Sequence, residues 1–164
     1  MTLVIALYSS CEIARILDVR VFALFDSERT QRGRPVNIAL LEDNPPILDY
    51  LSTALEMLGH TVHTFTDSAP LLDTILTAES ARLPLPYDLA VIDLLLPGPD
   101  SGIETIQKIR QAIAPHQLPM IVVSACSQKE LEEAQAILPD IPMLRKPFKM
   151  HELTHLIDQL QPAG

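Results

Sequence analysis

The sequence predicts an α/β protein: a doubly wound, five-stranded parallel sheet with helices on both faces and an N-terminal extension. Three observations lead there. Between Val36 and Leu160, five short apolar runs alternate with five stretches of helical period. Most of the runs are hydrophobic almost throughout, the pattern of strands buried on both faces. Regular strand–helix alternation also calls for right-handed crossovers, which make consecutive strands parallel.

The first run is VNIALL (36–41), bounded by Pro35 and by Glu42, Asp43 and Asn44. Pro45 and Pro46 suit the first turn of a helix, which lacks intrahelical partners for its N–H groups. Ile47, Leu48, Leu51, Leu55 and Leu58 then recur at helical spacing until Gly59. TVHTF (61–65) is a short strand with β-branched alternation. Asp67 or Ser68 can cap the next helix, striped by Leu71, Leu72, Ile75 and Leu76. The third unit pairs the strand YDLAVID (87–93) with the amphipathic helix GIETIQKIRQAI (102–113). PMIVVS (119–124) and QKELEEAQAIL (128–138) form the fourth. IPML (141–144) is the fifth strand; Pro142 denies it one backbone donor, which a sheet edge tolerates. The last helix carries Phe148, Leu153, Leu156, Ile157 and Leu160.

Parallel strands bring their carboxyl ends to one edge, where open α/β sheets bind ligands. The segment VIDLLLPGPDSG (91–102) ends an apolar run on Asp93 and breaks at once into Pro97, Gly98, Pro99 and Gly102. A carboxylate inside a buried strand costs several kcal/mol unless paired; at the strand's end it can face a ligand. Other strand ends add Glu42 and Asp43, Ser124, and Lys146. Two carboxylates about 4 Å apart repel by roughly 4 kcal/mol at an effective dielectric near 20. Three need a cation or must take up protons. Hard oxygen ligands open to water suit Mg²⁺. Asp43 and Asp93 are direct ligand candidates, the main-chain carbonyl of Leu95 a third, and Glu42 a ligand through water. Asp93 is then the candidate nucleophile toward a phosphoryl donor. Lys146 can pair with it, and the Ser124 hydroxyl can donate to the transferred group.

With LLEDN, IDLLLPGPDSG, VVSA and RKPF in this order, each closing a strand, the chain from Val36 to about Leu160 resembles the receiver domain of two-component response regulators. The resemblance implies the flavodoxin-like strand order 2-1-3-4-5 and a cis Lys146–Pro147 bond. It implies phosphorylation of Asp93 by a sensor histidine kinase or phosphotransfer protein and later hydrolysis. Ser124 and Lys146 would then move inward and reshape the surface around the fourth helix, fifth strand and fifth helix. Such a protein signals by changed protein contacts and is not an enzyme in the ordinary sense. Several features depart from the family pattern. Met143 stands where Tyr or Phe is usual, three residues before the lysine, the loop from Asp93 to Gly102 is one residue longer than is common, and Leu95 and Cys126, which the resemblance places beside the phosphoryl group, are uncharged.

A rival motif, His151-Glu152-x-x-His155, has the form of a zinc hydrolase site, with Glu152 as base. Among the nine residues after His155, Asp158 alone is of a ligating type, so the third ligand is not in its usual downstream place. A phosphorylation-independent interaction module on the same fold is the other alternative.

Residues 1–35 form the N-terminal extension and 36–164 the receiver-like domain. Ser9 and Glu12 have capping-box spacing, and Ile13, Ile16, Leu17, Val21, Leu24 and Phe25 can line an amphipathic helix over 10–25 before a polar linker. That face is expected first to pack on its own domain; mediating a homodimer, or being an upstream translated segment without a role, are the alternatives. The extension carries five arginines against four acidic residues, while residues 36–164 carry a net charge of −10. Direct nucleic-acid binding is not expected of so acidic a body; a divalent cation or a basic protein patch is. Cys11 and Cys126 match no metal or redox spacing and read as reduced thiols. No run approaches a membrane span. LVIALY followed by SSC lacks the positive leader of an export signal, so the expected location is the cytoplasm. With Gly164 soon after the last helix, the expectation is a stand-alone receiver acting on an unknown protein target.

Overall fold

The computed structural model describes residues 34–97 and 101–161; the helix expected over 10–25 lies outside them. The elements are β1 (Asn37–Leu41), α1 (Pro45–Met57), β2 (Thr61–Phe65), α2 (Ser68–Ser80), β3 (Leu89–Asp93), α3 (Gly102–Ala112), β4 (Met120–Ser124), α4 (Gln128–Ile137), β5 (Met143–Arg145) and α5 (Met150–Leu160). All strand pairs are parallel, and the sheet runs β2-β1-β3-β4-β5. That is the expected order.

Period-two alternation of side chains along the central strands builds two cores. Ile38, Leu40, Val91, Ile121 and Val123 face a layer made by Leu48, Leu51 and Leu55 of α1 and by Leu153 and Ile157 of α5. Ala39, Leu41, Ala90, Ile92 and Val122 face the opposite layer, with Leu71 and Ile75 of α2, Ile106 and Ile109 of α3 and Ala134 of α4. Of the three interior strands, β3 and β4 are buried at every position, whereas the edge strand β2 has no fully buried residue. This accounts for the continuous apolar runs in the middle and the alternating one at the edge.

Helix ends follow local chemistry. The Asn44 side chain accepts the Ile47 N–H ahead of Pro45 and Pro46. Asp67 accepts the Ala69 N–H at 2.8 Å. Ser101 with Glu104, and Ser127 with Glu130, form reciprocal capping boxes at α3 and α4. Gly59, at φ +95°, closes α1. Its N–H donates to the Glu56 carbonyl and the His60 N–H to the Leu55 carbonyl, the 5→2 and 6→1 pair that lets a left-handed residue satisfy orphan helix carbonyls.

Several ends shift by one or two residues, β3 for example beginning at Leu89 and not at Tyr87, and two shifts have a clear physical cause. The fifth strand spans 143–145, not 141–144: Ile141 is a buried core residue ahead of the strand, and Pro142 contributes its carbonyl to the Val122 N–H. A proline can accept but cannot donate, so regular pairing starts after it. Phe148 packs in the α1/α5 core but precedes α5, which begins at Met150. The Lys146–Pro147 peptide bond is cis.

Candidate functional site

Strand register puts the acidic side chains together. Leu41 of β1 lies beside Ile92 of β3, so Glu42, just past β1, and Asp93, the last residue of β3, emerge side by side at the carboxyl edge. Both are nearly sealed from solvent, at 1% and 4% exposure, while Asp43 is half-buried. One carboxylate oxygen from each of Glu42, Asp43 and Asp93 lies within 4.8 Å of the others.

Lys146 reaches this cluster from the end of β5. Its ammonium donates to Asp93 Oδ2 at 2.6 Å and also to Glu42 Oε2. Asp93 Oδ1 accepts the Leu95 N–H at 2.9 Å, and Glu42 Oε1 accepts the Asn44 N–H at 3.2 Å. Burial raises the Glu42 carboxyl above its ordinary pKa; hydrogen bonding to and the charge of Lys146 oppose that rise without cancelling it, and the Asp93 charge adds to it. Burial works against the charged form of Lys146, but its hydrogen bonds to Asp93 and Glu42 and their negative charges outweigh this and hold the ammonium above its usual pKa.

With the carboxylates and the ammonium ionised, the group keeps two net negative charges. A divalent cation balances two, and three carboxylate oxygens within 4.8 Å of one another are the donor set a hard ion such as Mg²⁺ takes. The residues present therefore fit the expected metal.

Ser124 ends β4 fully buried. Its hydroxyl donates to Cys126 Sγ at 3.0 Å and accepts the Cys126 N–H at 3.3 Å, so its one proton is directed at the thiol. Leu95 is among the most exposed large apolar residues, with its amide turned to Asp93. Met143 opens β5, half-buried against the α2–α4 core.

The residue that sequence reasoning underrated is Gly102. A Cβ there would lie 2.2 Å from the Asp93 carbonyl oxygen and 2.5 Å from Leu94 Cα. Its N–H donates to the Leu94 carbonyl at 3.2 Å. Only glycine lets the first turn of α3 sit against the Asp93 backbone, and the Ser101–Glu104 capping spacing beside it was the available signal. The Glu42–Lys146 pair was missed too, since nothing in sequence links residues 104 positions apart.

His151, Glu152 and His155 lie exposed on α5. The Glu152 carboxylate accepts the Lys149 N–H at 2.6 Å, and His155 Nε2 sits 2.9 Å from Gln159 Nε2. Among the described residues, the metal-capable group of three ligating side chains is Glu42, Asp43 and Asp93, without either histidine. Glu152, the base of the rival zinc reading, caps the start of α5.

Residues 38–158 match the model of the response regulator receiver domain. A curated relative is the heme response regulator HssR of Staphylococcus epidermidis, 26% identical over 118 residues, which span 72% of this chain and 48% of the relative. The chain thus spans about half the length of the curated relatives it matches. Among solved structures, a response regulator receiver protein from Sinorhizobium medicae superposes with a TM-score of 0.65 at 22% identity, over 77% of this chain and 94% of the other. The response regulator TrrA of Thermotoga maritima, solved in complex with Mg²⁺ and a beryllium fluoride, gives 0.62 at 22%, over 76% and 97%. At these identities the structural likeness speaks for the fold. No helix among the described residues is long and apolar enough to cross a membrane.

Proposed function

The chain belongs to the response regulator receiver domain family, and from that premise we propose that it accepts a phosphoryl group on Asp93, in a Mg²⁺-dependent reaction, from a histidine kinase or phosphotransfer protein. The observation that carries this reading is the Asp93 carboxylate, hydrogen-bonded to Lys146 and within 4.8 Å of the Glu42 and Asp43 oxygens.

Asp93 attacks phosphorus through a carboxylate oxygen. A P–O bond forms as the donor's P–N bond breaks, and the leaving imidazole nitrogen takes up a proton. Asp43, Asp93 and the Leu95 carbonyl are the proposed direct ligands of Mg²⁺, with Glu42 acting through water; the bound ion would neutralise charge on the phosphoryl oxygens. Lys146, already between Asp93 and Glu42, can follow the negative charge onto the phosphoryl group while keeping Glu42 paired. The Leu95 N–H fixes the other Asp93 oxygen, which limits the carboxylate's rotation. Ser124 supplies one donor once its proton leaves the thiol. The protein assists only its own phosphorylation and dephosphorylation, and the message passes by altered contacts with a protein target.

Incubation with acetyl phosphate and Mg²⁺ tests the proposal. Intact mass should rise by one phosphoryl group, and the gain should vanish in Asp93→Asn or with a chelator. No gain in the unaltered chain would leave a phosphorylation-independent interaction module on the receiver fold.

A further inference from the structure

Resting on that reading, we propose that Cys126 is a positioning residue: its thiol holds the Ser124 hydroxyl in the unphosphorylated state and so sets how readily the site closes on a phosphoryl group. A serine hydroxyl has a single proton to donate. Here it goes to Cys126 Sγ at 3.0 Å, while a lone pair takes the Cys126 N–H at 3.3 Å. Both bonds point the hydroxyl along the β4–α4 loop. Donation to a phosphoryl oxygen on Asp93 requires the O–H···S bond to break.

The backbone around this pair is held from the neighbouring strand. The Lys146 N–H donates to the Ser124 carbonyl at 2.7 Å, and Arg145 Nε donates to the Cys126 carbonyl at 3.3 Å. Cys126 itself is buried in the α2–α4 core. Release of the proton begins as a rotation about the Ser124 Cα–Cβ bond, ahead of the inward movement expected of Ser124 in the phosphorylated state. The same bonds tie Ser124 and Cys126 to the segment that delivers Lys146, so both donors approach Asp93 from the same corner of the sheet. Sulfur is a weak acceptor, which suits a hold that a phosphoryl oxygen must outcompete.

Removing the acceptor should make the closed state easier to reach. Titration of the full chain with Mg²⁺ and beryllofluoride, a phosphoryl stand-in, reads this directly. Cys126→Ala should bind about 2- to 5-fold more tightly, the change a weak neutral hydrogen bond produces. Cys126→Val, which keeps apolar volume, should do the same, and Cys126→Ser, which restores an acceptor, should return toward the unaltered affinity. On a Ser124→Ala background, Cys126→Ala should change nothing further. Unchanged affinity in both Cys126→Ala and Cys126→Val, or an equal gain with Ser124 absent, would overturn the proposal. If the unaltered chain neither bound beryllofluoride nor gained a phosphoryl group, the assignment of Asp93 would fall and this inference with it. Normal phosphorylation with an inert Cys126 would remove the inference alone.

Discussion

Asp93 remains tolerable at 4% exposure because both its oxygens are occupied, one by Lys146 and one by the Leu95 amide. Removing one partner of a buried ion pair leaves the other charge uncompensated. Lys146→Met is therefore expected to destabilise the metal-free chain by roughly 3 kcal/mol, read as a fall in the urea midpoint. Glu42 has the opposite sign. Its folded-state pKa is raised, chiefly by burial, so its contribution favours folding below the unfolded carboxyl pKa and is lost as pH rises through the folded value. Ionised Glu42 thus opposes folding at neutral pH. Glu42→Gln should raise Tm at pH 7, by about 2–4 °C per kcal/mol in a chain of this size, and the advantage should disappear in acid. A loss of Tm at pH 7 would show that the bond to Lys146 outweighs the cost of burying the carboxylate.

At the level of elements, the junction of β3 and α3 has the least room. Gly102→Ala drives a methyl to 2.2 Å from the Asp93 carbonyl oxygen, so α3 must shift. The expected outcome is a loss of at least about 2 kcal/mol together with weakened Mg²⁺ binding, since the displaced backbone belongs to Asp93 and Leu94. Gly59→Ala meets no atoms within 4 Å but must hold φ +95°, so it should cost about 1 kcal/mol by thermal melting and leave Mg²⁺ binding alone. Strands were legible from sequence where both faces are buried, as in LAVID and MIVVS, because burial demands unbroken apolar runs. The start of β5 was not: Ile141 is apolar because it fills the core, and the effect of Pro142 on pairing outweighs hydrophobicity. Ser124 and Cys126 are adjacent enough in sequence to touch, yet which acceptor takes the hydroxyl proton depends on a side-chain rotation that residue order does not specify.

For the molecule as a whole, the candidate site could be assembled from sequence because parallel strands place Glu42, Asp93, Ser124 and Lys146 at one edge by topology alone. The pairing of Glu42 with Lys146 and the steric role of Gly102 depend on ångström-scale packing that composition cannot encode. The same assembly predicts linkage between folding and metal. Mg²⁺ at 100 times its Kd should add about 2.7 kcal/mol to stability, seen as a higher Tm, and Asp43→Asn should abolish most of that gain while raising the metal-free Tm. The strand leading to Lys146 has three residues, pairs on one side only, and none of its side chains is fully buried. The cation that tethers Asp93 therefore hangs on the sheet's least anchored ribbon. Fraying of that ribbon and release of the acidic pocket should be one event: the Leu144 and Lys146 amides should exchange with deuterium sooner than those of β3, and sooner still once a divalent ion neutralises the carboxylates in place of the lysine.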